Sequence, residues 1–244
     1  MGRRVGERER LVEIVADGEE ELPGAFHYVR GNAEIGKTRL ISEVTASLKL
    51  EGCTVVRVDC TEPMHAWELV HELLDRIVEL GASRKLRKLE YYESYLLILK
   101  RLATLDNDSD TQLSQVVDHG WLRQAFEDAV ETLRPQKLVL VIEDIHRADV
   151  PSRQFLAECY APESGSTMPD GLASGLRGET LDQFRAGERV TFHEIEGLTR
   201  SDIHRFFEGR LGLDEPESGW IDQVDECASG RPGYLEEVCR TLID

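Results

Sequence analysis

The stretch Tyr28-Val29-Arg30-Gly31-Asn32-Ala33-Glu34-Ile35-Gly36-Lys37-Thr38-Arg39-Leu40 decides the fold. Its part from Gly31 to Thr38 has the spacing G-x-x-x-x-G-K-T. In this P-loop pattern backbone N–H groups surround phosphates, the lysine reaches them and the threonine hydroxyl binds Mg²⁺. A β-favouring run at 25–29 precedes the pattern, and apolar residues at helical spacing follow it over 38–48. This order aims the amino end of a helix at a phosphate. A glycine turn that only joins a strand to a helix gives no reason for the Lys-Thr pair.

A second motif supplies carboxylates. The aliphatic run Leu138-Val139-Leu140-Val141-Ile142 predicts a central parallel strand, and Glu143 and Asp144 follow it at once. An acidic pair at the carboxyl end of such a strand is what a P-loop enzyme needs, because one carboxylate holds Mg²⁺ and its neighbour orients or deprotonates the attacking water. A solvent-facing acidic pair is the alternative interpretation, and the P-loop upstream favours the metal site.

Composition limits the class of protein. The chain has 244 residues, enough for one α/β domain with a smaller appendage or for two small domains. Its formal net charge is -18, and of 29 basic residues six are lysine and 23 arginine. Such a surface is typical of proteins from salt-loving cells and equally of an ordinary acidic cytoplasmic protein. In both cases the charge disfavours direct binding to nucleic acid.

The five cysteines indicate reduced thiols. Their number is odd and no C-x-x-C spacing occurs, which favours a cytoplasmic protein over a disulfide scaffold or a zinc site. The first residues are charged, and no apolar run reaches the roughly 18 residues of a membrane span. We therefore expect a cytoplasmic protein with no membrane partner.

The order of predicted elements indicates an α/β class. A mostly parallel sheet flanked by helices is expected over residues 1–195, with phosphates at the carboxyl ends of the strands. Three short helices are expected over 200–211, 217–229 and 233–243, and Thr199 is expected to cap the first of them. They form a predicted small helical lid over residues 196–244.

Four segments together resemble the ATPase module of the STAND and Orc1-like AAA-type ATPases, found in multidomain signalling and transcription regulators. They are Val5-Gly6-Glu7-Arg8-Glu9, the loop G-N-A-E-I-G-K-T-R-L, the run L-V-L-V-I-E-D-I-H-R-A-D at 138–149, and Ser229-Gly230-Arg231-Pro232-Gly233-Tyr234-Leu235-Glu236-Glu237-Val238. The resemblance spans nearly the whole chain. The acidic pair with its following residues and the late Gly-x-Pro are together more discriminating than the common P-loop.

The resemblance implies ATP and Mg²⁺ as cofactors. It implies that the nucleotide is bound by the loop residues Gly31, Asn32, Ala33, Glu34, Ile35, Gly36, Lys37, Thr38 and Arg39. Thr38 and Glu143 would bind the metal. Asp144 would act as the hydrolytic carboxylate, assisted by Lys37.

The resemblance also assigns residues outside the loop. Val5 and Gly6 would lie near the adenine. Pro232, in the element Gly230-Arg231-Pro232, would let the helical lid sense the nucleotide. The choice of ATP over GTP rests on the resemblance, because no base-reading motif occurs in the sequence.

Several positions depart from the family pattern. Glu34 stands where a glycine is usual, and its carboxylate would repel phosphates unless it points outward. Glu143 replaces the usual aspartate and Arg147 the usual tryptophan. Over 161–169 the family has an aliphatic strand that ends in an arginine sensing the γ-phosphate. Here no strand is evident and Met168 occupies roughly the sensing position, which places both the sheet and hydrolysis in question.

Three functions follow from these observations. The first is an ATP-binding, slowly hydrolysing regulatory switch, whose partners are other protein domains or subunits. The second is a catalytically degenerate interaction module that holds a nucleotide or none. The third, a replication-initiator-like ATPase that engages DNA, is disfavoured by the charge and by the lack of a winged helix in the chain.

Overall fold

Five parallel strands form the centre of the fold, in the order β2-β3-β4-β1-β5. The computed structural model describes residues 2–16, 24–83, 119–133, 137–161, 168–176, 184, 189–211 and 218–243. Within them the strands are β1 Phe26–Gly31, β2 Thr54–Asp59, β3 Leu138–Glu143, β4 Asp170–Leu176 and β5 Val190–Glu194. The α-helices are α1 Gly2–Ala16, α2 Lys37–Leu50, α3 Glu68–Ser83, α4 His119–Leu133, α5 Val150–Cys159, α6 Arg200–Leu211, α7 Ser218–Ala228 and α8 Pro232–Ile243.

The sheet is covered by helices on both faces, as the apolar run of β3 predicts. All six residues of β3 are buried. Because side chains alternate along a strand, Leu138, Leu140 and Ile142 pack in a core with α3, α4 and α5. Val139 and Val141 point to the opposite face and pack in a second core with α1 and α2. The predicted α/β fold with a parallel sheet is confirmed.

The last three helices share a core of their own. It contains Ile203 and Phe207 of α6, Ile221 and Val224 of α7, and Leu235 of α8. Thr199 caps α6: its hydroxyl accepts a hydrogen bond from the backbone N–H of Asp202 at 3.2 Å. The Thr199 N–H donates in return to the Asp202 carboxylate at 3.0 Å, which confirms the predicted helix start. The division of the chain at 195/196 stays a prediction.

A central strand lies where the sequence indicated none. The expectation that the family's sensing strand is missing is wrong, because β4 pairs in parallel with β3 on one side and with β1 on the other. The strand begins at Asp170, just after the interval 161–169. Met168 precedes the amino end of β4 and is buried. It lies at the end of the sheet opposite the P-loop, so its assignment to the sensing position is wrong. The sequence continues from Leu176 to Arg177, which is outside the described residues.

The composition of β4 explains why its strand character is hard to predict. Its sequence, D-G-L-A-S-G-L, contains no β-branched aliphatic residue. Two aromatic rings of β1 require its glycines: a Cβ added at Gly171 would overlap the ring of Phe26, and one at Gly175 would overlap the hydroxyl of Tyr28. β4 therefore has glycine at the positions where the aromatic rings of β1 pack against it.

Within the part of the chain that the structure describes, no helix has both the length and the apolar character needed to cross a bilayer.

The fit of β4 under the rings of β1 can be tested with alanine. Gly175→Ala is expected to lower the free energy of unfolding by about 1–3 kcal/mol, because the added methyl group must displace the buried ring of Tyr28. Gly219→Ala, in α7, is the matched control: nothing lies within 4 Å of an added Cβ there. That variant is expected to be neutral or slightly stabilising. Urea denaturation measures both, and equal losses would contradict the packing argument.

Candidate functional site

The loop between β1 and α2 is held in an unusual backbone conformation. Gly36 precedes the first residue of α2 with φ 93° and ψ 22°, in the left-handed region. Glu34 also has a positive φ, of 59°, where glycine is the residue with the least strain. The strand, loop and helix therefore follow in the order that the P-loop spacing predicts, and the amino end of α2 faces the loop.

Lys37 lies inside this loop. Its side chain is buried, and Nζ donates hydrogen bonds to the carbonyl oxygens of Gly31 at 3.0 Å and Asn32 at 2.7 Å. Burial lowers the pKa of the Lys37 ammonium group, and the negative charge of Asp144 opposes that shift. The lysine of the glycine loop and the second carboxylate of the acidic pair are thus close enough to interact electrostatically.

The two predicted metal ligands lie close together. Glu143 ends β3 and is buried, and the Thr38 hydroxyl, in the first turn of α2, is near enough to affect the pKa of its carboxylate. Burial raises the pKa of Glu143, while Thr38 and the nearby cation Arg57 oppose the rise. Carboxylate and hydroxyl oxygens are the hard ligands that Mg²⁺ prefers, so these residues fit a magnesium ion held beside bound phosphates.

Asp144 is fixed by a residue that the sequence did not reveal. Its φ is 51°, and its backbone N–H donates to the Ser174 hydroxyl of β4 at 3.1 Å. Ser174 is buried, whereas the side chain of Asp144 is 38% exposed. The carboxylate is thereby presented to solvent from a rigid backbone. Recognising Ser174 from the sequence would have required recognising β4 first.

Asp149, the last residue of the run 138–149, has a structural role. Its carboxylate caps α5 by accepting from the Ser152 N–H at 2.8 Å. It also accepts from the N–H groups of Trp67 at 2.9 Å and Leu69 at 3.3 Å, at the start of α3. One buried carboxylate therefore satisfies the first turns of two helices.

Glu34 points away from the centre of the loop. Its carboxylate is 69% exposed and accepts a hydrogen bond from Arg231 Nη1 at 3.2 Å. The Glu34 carboxylate is thus directed outward and paired with Arg231, as a carboxylate in a phosphate-binding loop has to be if it is not to repel the phosphates. The same hydrogen bond joins the P-loop to the turn between α7 and α8, where Arg231 lies.

Two glycines bring the last three helices close to the P-loop. Leu198 N–H donates to the carbonyl oxygen of Gly230 at 2.9 Å. A Cβ at Gly197 would lie 3.0 Å from the Cα of Gly230 and 3.3 Å from Ile35 of the P-loop. Ile35, Gly197 and Gly230 therefore form a continuous line of contacts from the loop to the last helices.

The roles predicted for the remaining residues stay predictions. Gly6 is exposed in α1, and the side chain of Val5 is outside the described residues. Arg39 is exposed and pairs with Glu43 at 3.0 Å. Pro232 is half-buried and begins α8 directly after Arg231.

The sheet order, the glycine loop after β1 and the buried acid at the end of β3 define a P-loop nucleoside triphosphatase fold. Residues 3–164 match the AAA ATPase domain family, and the chain belongs to this family.

Solved structures support the same fold. A STAND protein with a tetratricopeptide repeat sensor from Pyrococcus horikoshii superposes with a TM-score of 0.54 at 13% identity, over 97% of this chain and 32% of that one. The Aeropyrum pernix Orc1 protein in complex with DNA gives 0.56 at 13% identity, over 97% and 58%. Drosophila ORC bound to DNA gives 0.59 at 14% identity, over 97% and 54%. The chain thus spans less than two thirds of each of these structures.

A curated relative is a probable transcriptional regulator of Mycobacterium tuberculosis. It is 24% identical over an alignment of 196 positions, and the alignment takes in 65% of this chain and 96% of the relative.

The double cap made by Asp149 predicts a large loss of stability on its removal. Asp149→Ala is expected to lower the free energy of unfolding by about 2–4 kcal/mol, because buried N–H groups at two helix starts lose their acceptor. Asp222→Ala is the matched control. It removes an aspartate that is 57% exposed and pairs with Arg200 at the surface, so a change below about 0.5 kcal/mol is expected. Thermal and urea unfolding measure both, and a small effect at Asp149 would refute its role as a shared cap.

Proposed function

We propose that the chain is an ATP-binding, Mg²⁺-dependent and slowly hydrolysing regulatory switch. The observation that carries the proposal is the convergence of four groups from three segments: Lys37 and Thr38 of the P-loop helix, Glu143 of β3, and Asp144 just after it. Membership of the AAA ATPase domain family supports nucleotide binding at this place.

Each group has a task that suits its surroundings. Lys37 exchanges its two loop carbonyl partners for phosphate oxygens, which are stronger acceptors because they are charged. The backbone N–H groups at the start of α2 complete the phosphate cradle. Thr38 and Glu143 would hold Mg²⁺, which would neutralise negative charge on the phosphates.

Hydrolysis belongs to Asp144. Its carboxylate is partly exposed, so water can reach it, and the hydrogen bond from its N–H to Ser174 fixes its position. β4 lies between β3 and β1, so the strand that places Ser174 beside Asp144 is part of the sheet. The turnover is expected to be slow, because a switch has to persist in its nucleotide-bound state long enough to be detected by a partner.

The helical segment is the moving part of this proposed switch. Residues 196–244 form a lid that senses the nucleotide through Pro232 and through the adjacent contact between Arg231 and Glu34. Filling the loop with phosphates changes the surroundings of Glu34 and Ile35, both of which are connected to the lid. The lid then offers a different surface to its partner.

The proposed partners are other protein domains or subunits in the cytoplasm. The structural relatives include a STAND protein with a repeat sensor, and the curated relative is a probable transcriptional regulator. Two relatives were solved with DNA, but a net charge of -18 disfavours direct DNA binding by this chain. The described cysteines Cys53, Cys60, Cys159 and Cys227 are thiols outside any disulfide bond, consistent with a reducing compartment.

Nucleotide binding is tested with a fluorescent ATP analogue. Lys37→Ala is expected to weaken binding about tenfold or more, because a charged donor to the phosphates is lost. Lys49→Ala, in the last turn of the same helix, is expected to bind like the wild type. Competition by unlabelled ATP and GTP identifies the base.

Phosphate release in the same samples separates the switch from the degenerate module. Asp144→Asn is expected to retain binding and to reduce turnover by at least about tenfold. A wild type that binds no nucleotide would overturn the proposal. Tight binding without turnover would support the nucleotide-holding interaction module instead.

Coupling between the loop and the lid is tested with a double-mutant cycle. Glu34→Gly and Arg231→Gln are each expected to reduce the nucleotide-induced change in hydrogen exchange over residues 218–243. The double variant is expected to show no further reduction, because both changes remove the same contact. Additive effects would show that the two residues act independently. Arg240→Gln, at an exposed position in α8, serves as the control.

A further inference from the structure

Arg57 has all three guanidinium nitrogens engaged next to the acidic pair. Nε donates to Asp59 Oδ1 at 2.9 Å, and Nη1 donates to Ser42 Oγ of α2 at 3.1 Å. Nη2 forms an ion pair with Oε1 of Glu143. The arginine therefore links β2, the P-loop helix and the carboxylate expected to hold the metal.

The strand register determines this arrangement. β2 lies beside β3 at the edge of the sheet, and Asp59 is aligned with Glu143. Arg57 stands two residues earlier on β2, on the same side of the strand as Asp59. Its side chain is 31% exposed, whereas that of Glu143 is only 5% exposed. The carboxylate is thus enclosed, and Arg57 is its cationic partner among the described residues that contact it.

Buried carboxylates require compensation, because desolvation of an unpaired charge is unfavourable. Arg57 provides it when no metal is bound. A divalent cation that binds Glu143 must approach a carboxylate whose oxygen already contacts a guanidinium group. The like charges repel each other at short range in a poorly solvated site, where screening is weak. Metal binding and the Arg57 contact therefore oppose one another.

We propose that Arg57 is a built-in counter-cation that competes with divalent metal for Glu143 and so sets the metal concentration at which the site is filled. The inference rests on the proposed function in assigning the metal to Glu143. Arg57 is a positioning residue in this scheme: it acts through the carboxylate and touches neither nucleotide nor water in the reaction. The site consequently responds to the supply of Mg²⁺ as well as to that of nucleotide.

The experiment compares three variants of the full chain with the wild type. Arg57→Gln removes the charge and leaves a shorter polar side chain, whereas Arg57→Lys keeps the charge without the planar fork. Arg76→Gln is the matched control, since it breaks a helical arginine–glutamate pair with Glu72 that does not involve Glu143 or Asp144. Circular dichroism and thermal unfolding establish that each variant is folded.

The first measurement is the Mg²⁺ concentration that gives half-maximal binding of the fluorescent ATP analogue. We expect Arg57→Gln to lower it by about tenfold, as removal of a single neighbouring positive charge implies. Arg57→Lys and Arg76→Gln are expected to remain within about threefold of the wild type. An unchanged or increased Mg²⁺ requirement in Arg57→Gln would overturn the proposal, because a purely structural arginine would leave the requirement unchanged or raise it.

The second measurement uses Mn²⁺ and the chain without nucleotide, with free Mn²⁺ followed by electron paramagnetic resonance. Arg57→Gln is expected to bind Mn²⁺ more tightly than the wild type. This measurement distinguishes a failure of the proposed function from a failure of the proposed competition between Arg57 and metal. If the wild type binds no nucleotide at any Mg²⁺ concentration, the proposed function fails. Mn²⁺ binding then decides the competition alone, and equal affinities in the two chains would refute it.

Discussion

The distance between the phosphate loop and the acidic pair depends on the packing of β4 beneath the rings of Phe26 and Tyr28. β4 separates β1, which leads into the loop, from β3, which ends in Glu143. Both rings lie over glycines of β4, where a side chain would collide with them. Because the strands are parallel and in register, their carboxyl ends lie at one edge of the sheet. The close packing of two aromatic rings on two glycines thereby places the residues of the site next to one another.

Charge balance is the second condition that the site meets. The chain is strongly acidic, yet Lys37, Glu143, Asp144 and Arg57 at its centre comprise two cations and two anions. Burial lowers the pKa of Lys37 and raises that of Glu143, and in each case an opposite charge counteracts the shift. For Lys37 and Glu143 these neighbouring charges offset part of the desolvation that accompanies burial. A phosphate or metal that enters therefore has to replace existing ion pairs.

Much of this arrangement could be predicted from the sequence, and the parts that could not share a physical cause. The P-loop and the strand before Glu143 are local patterns, in which residue order and spacing suffice. β4 escaped prediction because its strand character comes from the surroundings that require Gly171 and Gly175, rather than from its own side chains. That error led to the assignment of Met168 to the wrong end of the strand.

Arg57 and Ser174 were missed for a related reason. Each contacts the acidic pair across the sheet, from β2 and β4 respectively. Such contacts follow from strand order and register, which involve residues far apart in the chain. Within β2, an arginine in a mostly apolar run looks like a surface residue of an edge strand. The contact of Arg57 with Glu143 can be predicted only when the register that aligns Asp59 with Glu143 is known.

Glu34 shows how stability and function can be distinguished at one position. A non-glycine residue at φ 59° costs about 1 kcal/mol or more. An exposed ion pair such as that with Arg231 returns only about 0.2–1 kcal/mol. The pair therefore does not stabilise the folded chain beyond what a glycine would give. What it adds is a contact between the phosphate loop and the last helices, next to the backbone contact of Gly197 with Gly230. A weak contact between two parts is suited to a switch, because a small change at the loop is enough to break it.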